Sequence, residues 1–192
     1  MAKSTTQVIY APYRTLEWTR QVLIVVCASL FVALCARLTA FLSATPVPVT
    51  LQNFGVLVVG LSLGRKRGFA ALALYLAEGA IGLPVFNPLG PGGIAQILGP
   101  TGGYLLSYPF VAWLAGFIME RGQRTFVRAL TASFLAEVLL FVGGLSWLYL
   151  YTHSLGRALQ YGLYWFVLAE VFKMVAAAGA VTGWQRFSAD RN

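Results

Sequence analysis

The placement of charged residues constrains this chain more than any other feature, because it leaves apolar stretches too long for a water-soluble core. Between Arg20 and Arg37 runs QVLIVVCASLFVALCA, with no charge in it, and between Arg128 and Arg157 the only ionised side chain is Glu137. Charged residues make up 10% of the sequence and hydrophobic ones 58%. A soluble domain carries about a quarter charged residues. The chain therefore reads as an all-α integral membrane protein, because helices satisfy their own backbone hydrogen bonds in lipid. One helical crossing takes about 20 residues, so a length of 192 accommodates about six with short connections.

The apolar stretches place the crossings at 21–43, about 51–63, 68–83, about 102–119, about 129–151 and about 161–184. The second is short, and the basic run Arg65-Lys66-Arg67 stops it. The first also invites comparison with a secretion signal, but its polar lead is long and no small-x-small cleavage site follows. An uncleaved helix is the preferred reading. The organisation expected is a cytoplasmic segment 1–20, a six-helix membrane domain 21–185 and a cytoplasmic tail 186–192.

Six crossings put the two termini and the 64–68 and 120–128 connections on one side. That side then holds Lys3, Arg14, Arg20, Arg65, Lys66, Arg67, Arg121, Arg124, Arg128, Arg186 and Arg191, against Arg157 alone on the other. Basic residues concentrate on the cytoplasmic side of membrane proteins, so both termini are expected there. The net charge of +8 follows from this topology and requires no nucleic acid as partner. Cys27 and Cys35, eight residues apart on one helix, are separated by about 12 Å of rise. That is too far for a disulfide, and they read as packing residues.

The outer side then carries the segment Ser43–Gln52, the 151–160 connection and a stretch unlike the rest of the chain, IGLPVFNPLGPGGIAQILGPTGGYLL, from Ile81 to Leu106. It holds Pro84, Pro88, Pro91 and Pro100 among glycines, which neither a regular helix nor a strand tolerates at that density. Apolar side chains are threaded through it, so it reads as an ordered outer loop packed on something apolar.

Arg37, Glu78, Glu137, Glu170 and Lys173 fall inside or at the outer ends of the crossings, where a charge costs about 2.5–3.5 kcal/mol on insertion scales. Glu170 and Lys173, spaced i,i+3, share a helix face and can pair. The pair reads either as a structural contact or as a polar anchor for a small ligand. Arg37 and Glu78 either pair with each other or reach for the interface, and Glu137 reads as structural. Ser29, Ala33, Ala36 and Ala40 form a small-residue face on the first helix, which permits close approach of another helix. Gly60/Gly64 and Gly179/Gly183 are further small pairs.

Catalytic patterns are lacking in the sequence. It has one histidine, His153, and no HExxH or GxSxG. Gly60–Lys66 (GLSLGRK) has the wrong spacing and ending for a phosphate-binding loop. No cofactor or metal is expected, and energised transport would need another subunit or an ion gradient.

Three motifs occur in order: Pro46-Val47-Pro48-Val49-Thr50-Leu51-Gln52, Gly82-Leu83-Pro84-Val85-Phe86, and Leu98-Gly99-Pro100-Thr101-Gly102-Gly103-Tyr104-Leu105. Over about residues 20–185 the chain resembles the BioY family, the biotin-specific S components of energy-coupling factor (ECF) transporters. That family carries an acidic-x-x-Lys pair, usually with Asp, in its last helix. Here it is Glu170-Val171-Phe172-Lys173.

The resemblance implies a six-helix bundle in the bacterial cytoplasmic membrane, with an outward-facing biotin pocket closed by the ordered outer loops. It also implies partnership with a transmembrane T component and paired ATPases, although some members occur without them. A homo-oligomer is a further open arrangement, and lipid is the surrounding partner. In such a pocket Glu170 would accept from a ureido N–H and Lys173 would donate to the ureido oxygen. Asn87 would serve the carboxylate end, with the backbone N–H groups of Gly92 and Gly93. Gln52, Thr50 and Tyr104 are lesser candidates: the first two could instead cap the second helix, and Tyr104 could be an interfacial aromatic. Phe86, Trp147, Tyr164 and Trp165 either clasp the ring system or belong to the belt or core. The face Ser29, Ala33, Ala36 and Ala40 would meet the T component. Two other classes stay open, a carrier of a different vitamin and an intramembrane enzyme using Glu78, Glu137 and Glu170. The second lacks a nucleophile.

Overall fold

The computed structural model describes residues 10–189, leaving the side chains of residues 10–15, 185, 186, 188 and 189 undescribed. The expectations for the chain ends, with Lys3 and Arg191, lie outside the described residues. The helices are α1 (Tyr10–Arg37), α2 (Gln52–Ala80), α3 (Gly93–Leu98), α4 (Gly102–Met119), α5 (Phe126–Thr152), α6 (Leu155–Leu159) and α7 (Val167–Ala189), with a π-helical turn at Gln160–Tyr164. Two residues of extended chain, β1 (Thr39–Ala40), pair antiparallel with β2 (Val49–Thr50), Thr39 facing Thr50 and Ala40 facing Val49.

Among the described residues, four helical stretches are long and apolar enough to cross a membrane: Leu16–Arg37, Gly102–Met119, Phe126–Thr152 and Val167–Trp184. The expected second and third crossings are the two arms of α2, each short by itself. They meet at Gly64, whose φ of 79° is left-handed and therefore open chiefly to glycine. The chain folds back there: a Cβ on Gly68 would lie 3.3 Å from the Cα of Gly60. Those positions would be about 12 Å apart along a straight helix. Glu120 fastens the reversal, its Oε1 accepting from the Arg65 N–H at 2.9 Å and its Oε2 pairing with Arg65 Nε at 3.2 Å. A carboxylate at a helix start also complements the helix dipole.

Three expected boundaries move. α1 begins at Tyr10 rather than at 21, and it stops at Arg37 rather than at Ser43. The residues beyond it are drawn into the β1–β2 pairing, with Thr39 Oγ1 donating to the Ala36 carbonyl at 2.6 Å. The last long helix starts at Val167 and not at Tyr161, because the π-helical turn intervenes. The fourth crossing lies where expected.

α2 is the centre of the bundle. It packs on α4 most extensively, then on α1, and also on α7, while α5 bridges α4 and α7. Small residues set these distances. A Cβ on Gly60 would come within 2.7 Å of the Ala112 carbonyl oxygen and 2.9 Å of its Cα, so the first arm of α2 lies directly on the α4 backbone. Gly103 and Gly143 play the same part between α4 and α5. Gly179 and Gly183 face open space and are not used for packing within the chain.

Of the four small residues expected to meet a partner helix, two are turned into the chain's own core. Ser29 and Ala36 are completely buried, Ala33 is half-buried and Ala40 alone is exposed. There α1 packs on α2: Ser29 Oγ donates to Glu78, and a Cβ on Gly55 would stand 3.1 Å from Cys35 Sγ and 3.4 Å from the Cα of Val32. The outward face of α1 is instead large and apolar, with Leu23, Leu30 and Leu34.

Candidate ligand-binding site

At the end of the bundle carrying the Gly/Pro loop, three connections are tied to one another. Thr45 Oγ1 donates to the Tyr161 carbonyl at 2.6 Å, joining the first connection to the π-helical turn. Tyr104 Oη donates to the Gly162 carbonyl at 2.8 Å, joining α4 to the same turn. Trp147 Nε1 donates to the Gly99 carbonyl at 2.9 Å, holding the Gly/Pro loop to α5. A π-helical turn displaces the regular ladder, which leaves carbonyls for such partners.

Beneath these ties lie two adjoining chambers. The first is walled by Val47 and Pro48 from the first connection, Tyr104 and Tyr108 from α4, Leu140 and Phe141 from α5, and Phe166 just ahead of α7. Thr50 and Gly162 complete its mouth, and Asn53, Glu170 and Lys173 form its polar end. The second shares Val47, Pro48, Thr50, Tyr104 and Tyr108 and adds Gln52, Asn87, Thr101 and Leu105. The two share a largely apolar wall, the first with a charged end and the second lined by amides. That is the usual construction of a small-molecule site, in which a few fixed polar groups orient a ligand within an apolar wall.

The charged end is a hydrogen-bonded cluster. Lys173 Nζ lies 2.7 Å from Glu170 Oε1, as the i,i+3 spacing on α7 anticipates. Asn53 Nδ2 donates to Glu170 Oε2 at 2.7 Å and also to Glu137 Oε1. All four side chains are buried. Three helices, α2, α5 and α7, thus meet at one amide. A buried cluster of this kind is costly unless each member is partnered.

Of the residues expected in the site, Glu170, Lys173, Thr50 and Tyr104 come together around the first chamber, and Gln52 and Asn87 around the second. Thr50 also has its capping role, its Oγ1 accepting from the Gln52 N–H at 3.2 Å. Asn87 Oδ1 accepts from the Leu89 N–H at 3.2 Å, which orders the start of the loop. Gly92 and Gly93 line neither chamber, and the Gly92 N–H already donates to Gln96 Oε1 at 3.1 Å.

The expected aromatics are placed differently. Phe86 is core, edge-on to Tyr75, and Trp147 holds the loop. Tyr164 and Trp165 are exposed. Tyr108, Phe141 and Phe166 supply the aromatic wall instead. Arg37 and Glu78 do not pair: Arg37 donates to the Pro84 carbonyl and Glu78 accepts from Ser29 Oγ.

Two members of the charged end were not recognised in the sequence. Glu137 read as a structural residue, yet it bonds the amide that bonds Glu170. Asn53 is not among the expected site residues, although its neighbour Gln52 is. The available signal was an amide one position inside an apolar helix, turned about 100° from Gln52 and hence toward a different neighbour.

Comparison with known proteins agrees with this construction. The model of the BioY family matches residues 3–190. A protein of Pyrococcus horikoshii, named "Probable biotin transporter BioY", is 39% identical over 150 residues, covering 78% of this chain and 88% of its own. The "Biotin transporter BioY" of Thermotoga maritima is 36% identical over 133 residues, covering 69% and 78% respectively. The crystal structure of the S-component for biotin from an ECF-type ABC transporter superposes with a TM-score of 0.79 at 25% identity, covering 88% of this chain and 93% of that one.

Proposed function

This chain belongs to the BioY family, and from that membership we propose that it is the biotin-binding transmembrane subunit of an uptake system. It is a transporter component and not an enzyme. The observation that carries the reading is the buried Glu170–Lys173 pair, with Asn53, at one end of an otherwise apolar chamber. Biotin has matching parts: a ureido group that donates and accepts, an apolar ring and chain, and a carboxylate. The ureido group would lie at the charged end and the apolar ring against Tyr108, Phe141 and Phe166. The chain would then run toward the second chamber, where Gln52 and Asn87 are the amides nearest its carboxylate. Thr50 and Tyr104 stand between the two, and Gly92 and Gly93 would act only through the loop they shape. No cofactor is needed for binding.

The remaining features follow from the same reading. Six crossings, counting both arms of α2, place both termini and the basic clusters on the cytoplasmic side of a bacterial inner membrane. The chambers then open outward. The sequence has no ATP-hydrolysing loop, so energy comes from a T component and ATPase subunits. The T component would meet a large apolar outer surface such as that of Leu30 and Leu34 on α1, since the small face is used internally.

The test is equilibrium binding of labelled biotin to the detergent-purified protein, wild type beside Lys173→Ala and Glu170→Gln. Tight wild-type binding lost in both variants is expected. Absence of wild-type binding would refute the assignment of biotin, and binding that survives both substitutions would move the polar anchors away from α7.

A further inference from the structure

Hydrogen bonding at the charged end of the chamber is one-sided, and this specifies what a ligand must present there. The two partners of Asn53 are carboxylate oxygens, which accept, so the amide nitrogen faces them. An amide nitrogen carries two hydrogens, and these two bonds use both. Asn53 Oδ1 is left buried with no partner among the described residues, on a side chain that lines the chamber and is 4% exposed. Both oxygens of Glu170 already hold a donor, Lys173 on one and Asn53 on the other. Lys173 has three N–H donors, and Glu170 takes one. Each Glu170 oxygen can accept once more but already has a donor, so the groups left most in want of a partner are an amide oxygen with no donor at all and an ammonium with N–H groups to spare.

We infer that Asn53 is a further specificity-determining residue, its Oδ1 accepting a ureido N–H of the ligand while Lys173 donates to the adjacent ureido oxygen. Glu137 is a positioning residue that acts through Asn53. The inference rests on the biotin reading above and moves the N–H acceptor from Glu170 to Asn53. Glu137 lines neither chamber and is 3% exposed. By taking the second N–H of Asn53 it fixes the plane of the amide from the side opposite Glu170. Without it, a bare donor would stand beside the ligand's own donor. The ligand group selected is planar with a donor next to an acceptor, such as a cyclic urea. A carboxylate is excluded from this end by Glu170 and by the bare oxygen of Asn53.

The test compares biotin with its two singly N-methylated ureido derivatives, by equilibrium binding to the detergent-purified full chain. Wild type is expected to prefer biotin to at least one derivative by about tenfold or more, the cost of leaving one buried acceptor unpaired. Asn53→Leu should bind biotin about 10- to 100-fold more weakly and lose that preference. Glu137→Leu should act in the same direction. Glu137→Gln, whose side-chain oxygen can still accept from Asn53, should remain within about threefold of wild type, as fits retention of the bond. A preference unchanged in Asn53→Leu, or wild type indifferent to both methylations, would overturn the role of Asn53. Glu137→Gln as impaired as Glu137→Leu would overturn the positioning role. Wild type that binds no biotin at all would instead overturn the transport reading beneath the inference.

Discussion

Replacing Lys173 by Met removes the only cation at the charged end and leaves the Glu170 carboxylate against an apolar wall. At the 2.7 Å separation of Nζ and Oε1, an effective dielectric of about 20 makes their attraction about 6 kcal/mol. The two side chains are 8% and 9% exposed, so each has also lost most of its hydration, a penalty of several kcal/mol per ion after relaxation. The pair as a whole therefore contributes little net stability, whereas half a pair is a liability. Removing one partner of a buried pair costs about 3–5 kcal/mol. In a chain of 192 residues that corresponds to a fall in Tm of about 6–20 °C. The double variant Glu170→Leu with Lys173→Met removes both ions and should recover most of the lost Tm, yet bind no biotin. The assay is thermal unfolding of the ligand-free, detergent-purified protein, with biotin binding measured on the same samples. A single variant with the Tm of wild type would refute the reasoning, as would a double variant no more stable than the single one.

Two further predictions concern the scaffold. Gly64→Ala forces an alanine into φ of 79° and drives its Cβ onto Glu120, so Tm should fall by the equivalent of about 1–2 kcal/mol or more from backbone strain alone. Thermal unfolding checks it, and an unchanged Tm would mean that the α2 reversal does not depend on this conformation. Ala36→Trp places an indole where α1 has no space, while Leu34→Trp on the exposed face has room. The first should reduce the yield of folded, biotin-binding protein and the second should leave binding intact; monodisperse elution with retained binding in both would return the small face to the surface.

The architecture was legible in the sequence to the extent that it depends on solvent. Long uncharged runs ended by Arg65-Lys66-Arg67 and Glu120-Arg121 determine where chain leaves the bilayer, because each charge there carries a large local transfer cost. The crossing at Gly102–Met119 appears where those signals put it. The partnership of Glu170 with Lys173 was legible too, since i,i+3 spacing makes neighbours on any helix.

What only the tertiary structure decided is which faces meet. A stripe of small residues on α1 says that something approaches closely, but not whether it is another protein or α2 of the same chain. The answer lies in a different helix: Ser29 bonds Glu78 of α2, and Ala36 is buried with it. The cluster at Asn53 is the clearest instance: Asn53, Glu137 and Glu170 are far apart in sequence, and no local pattern links them. Local sequence determines the energy of each residue in its solvent. Contacts between residues distant along the chain depend on how three helices pack, and that packing is a property of the whole bundle.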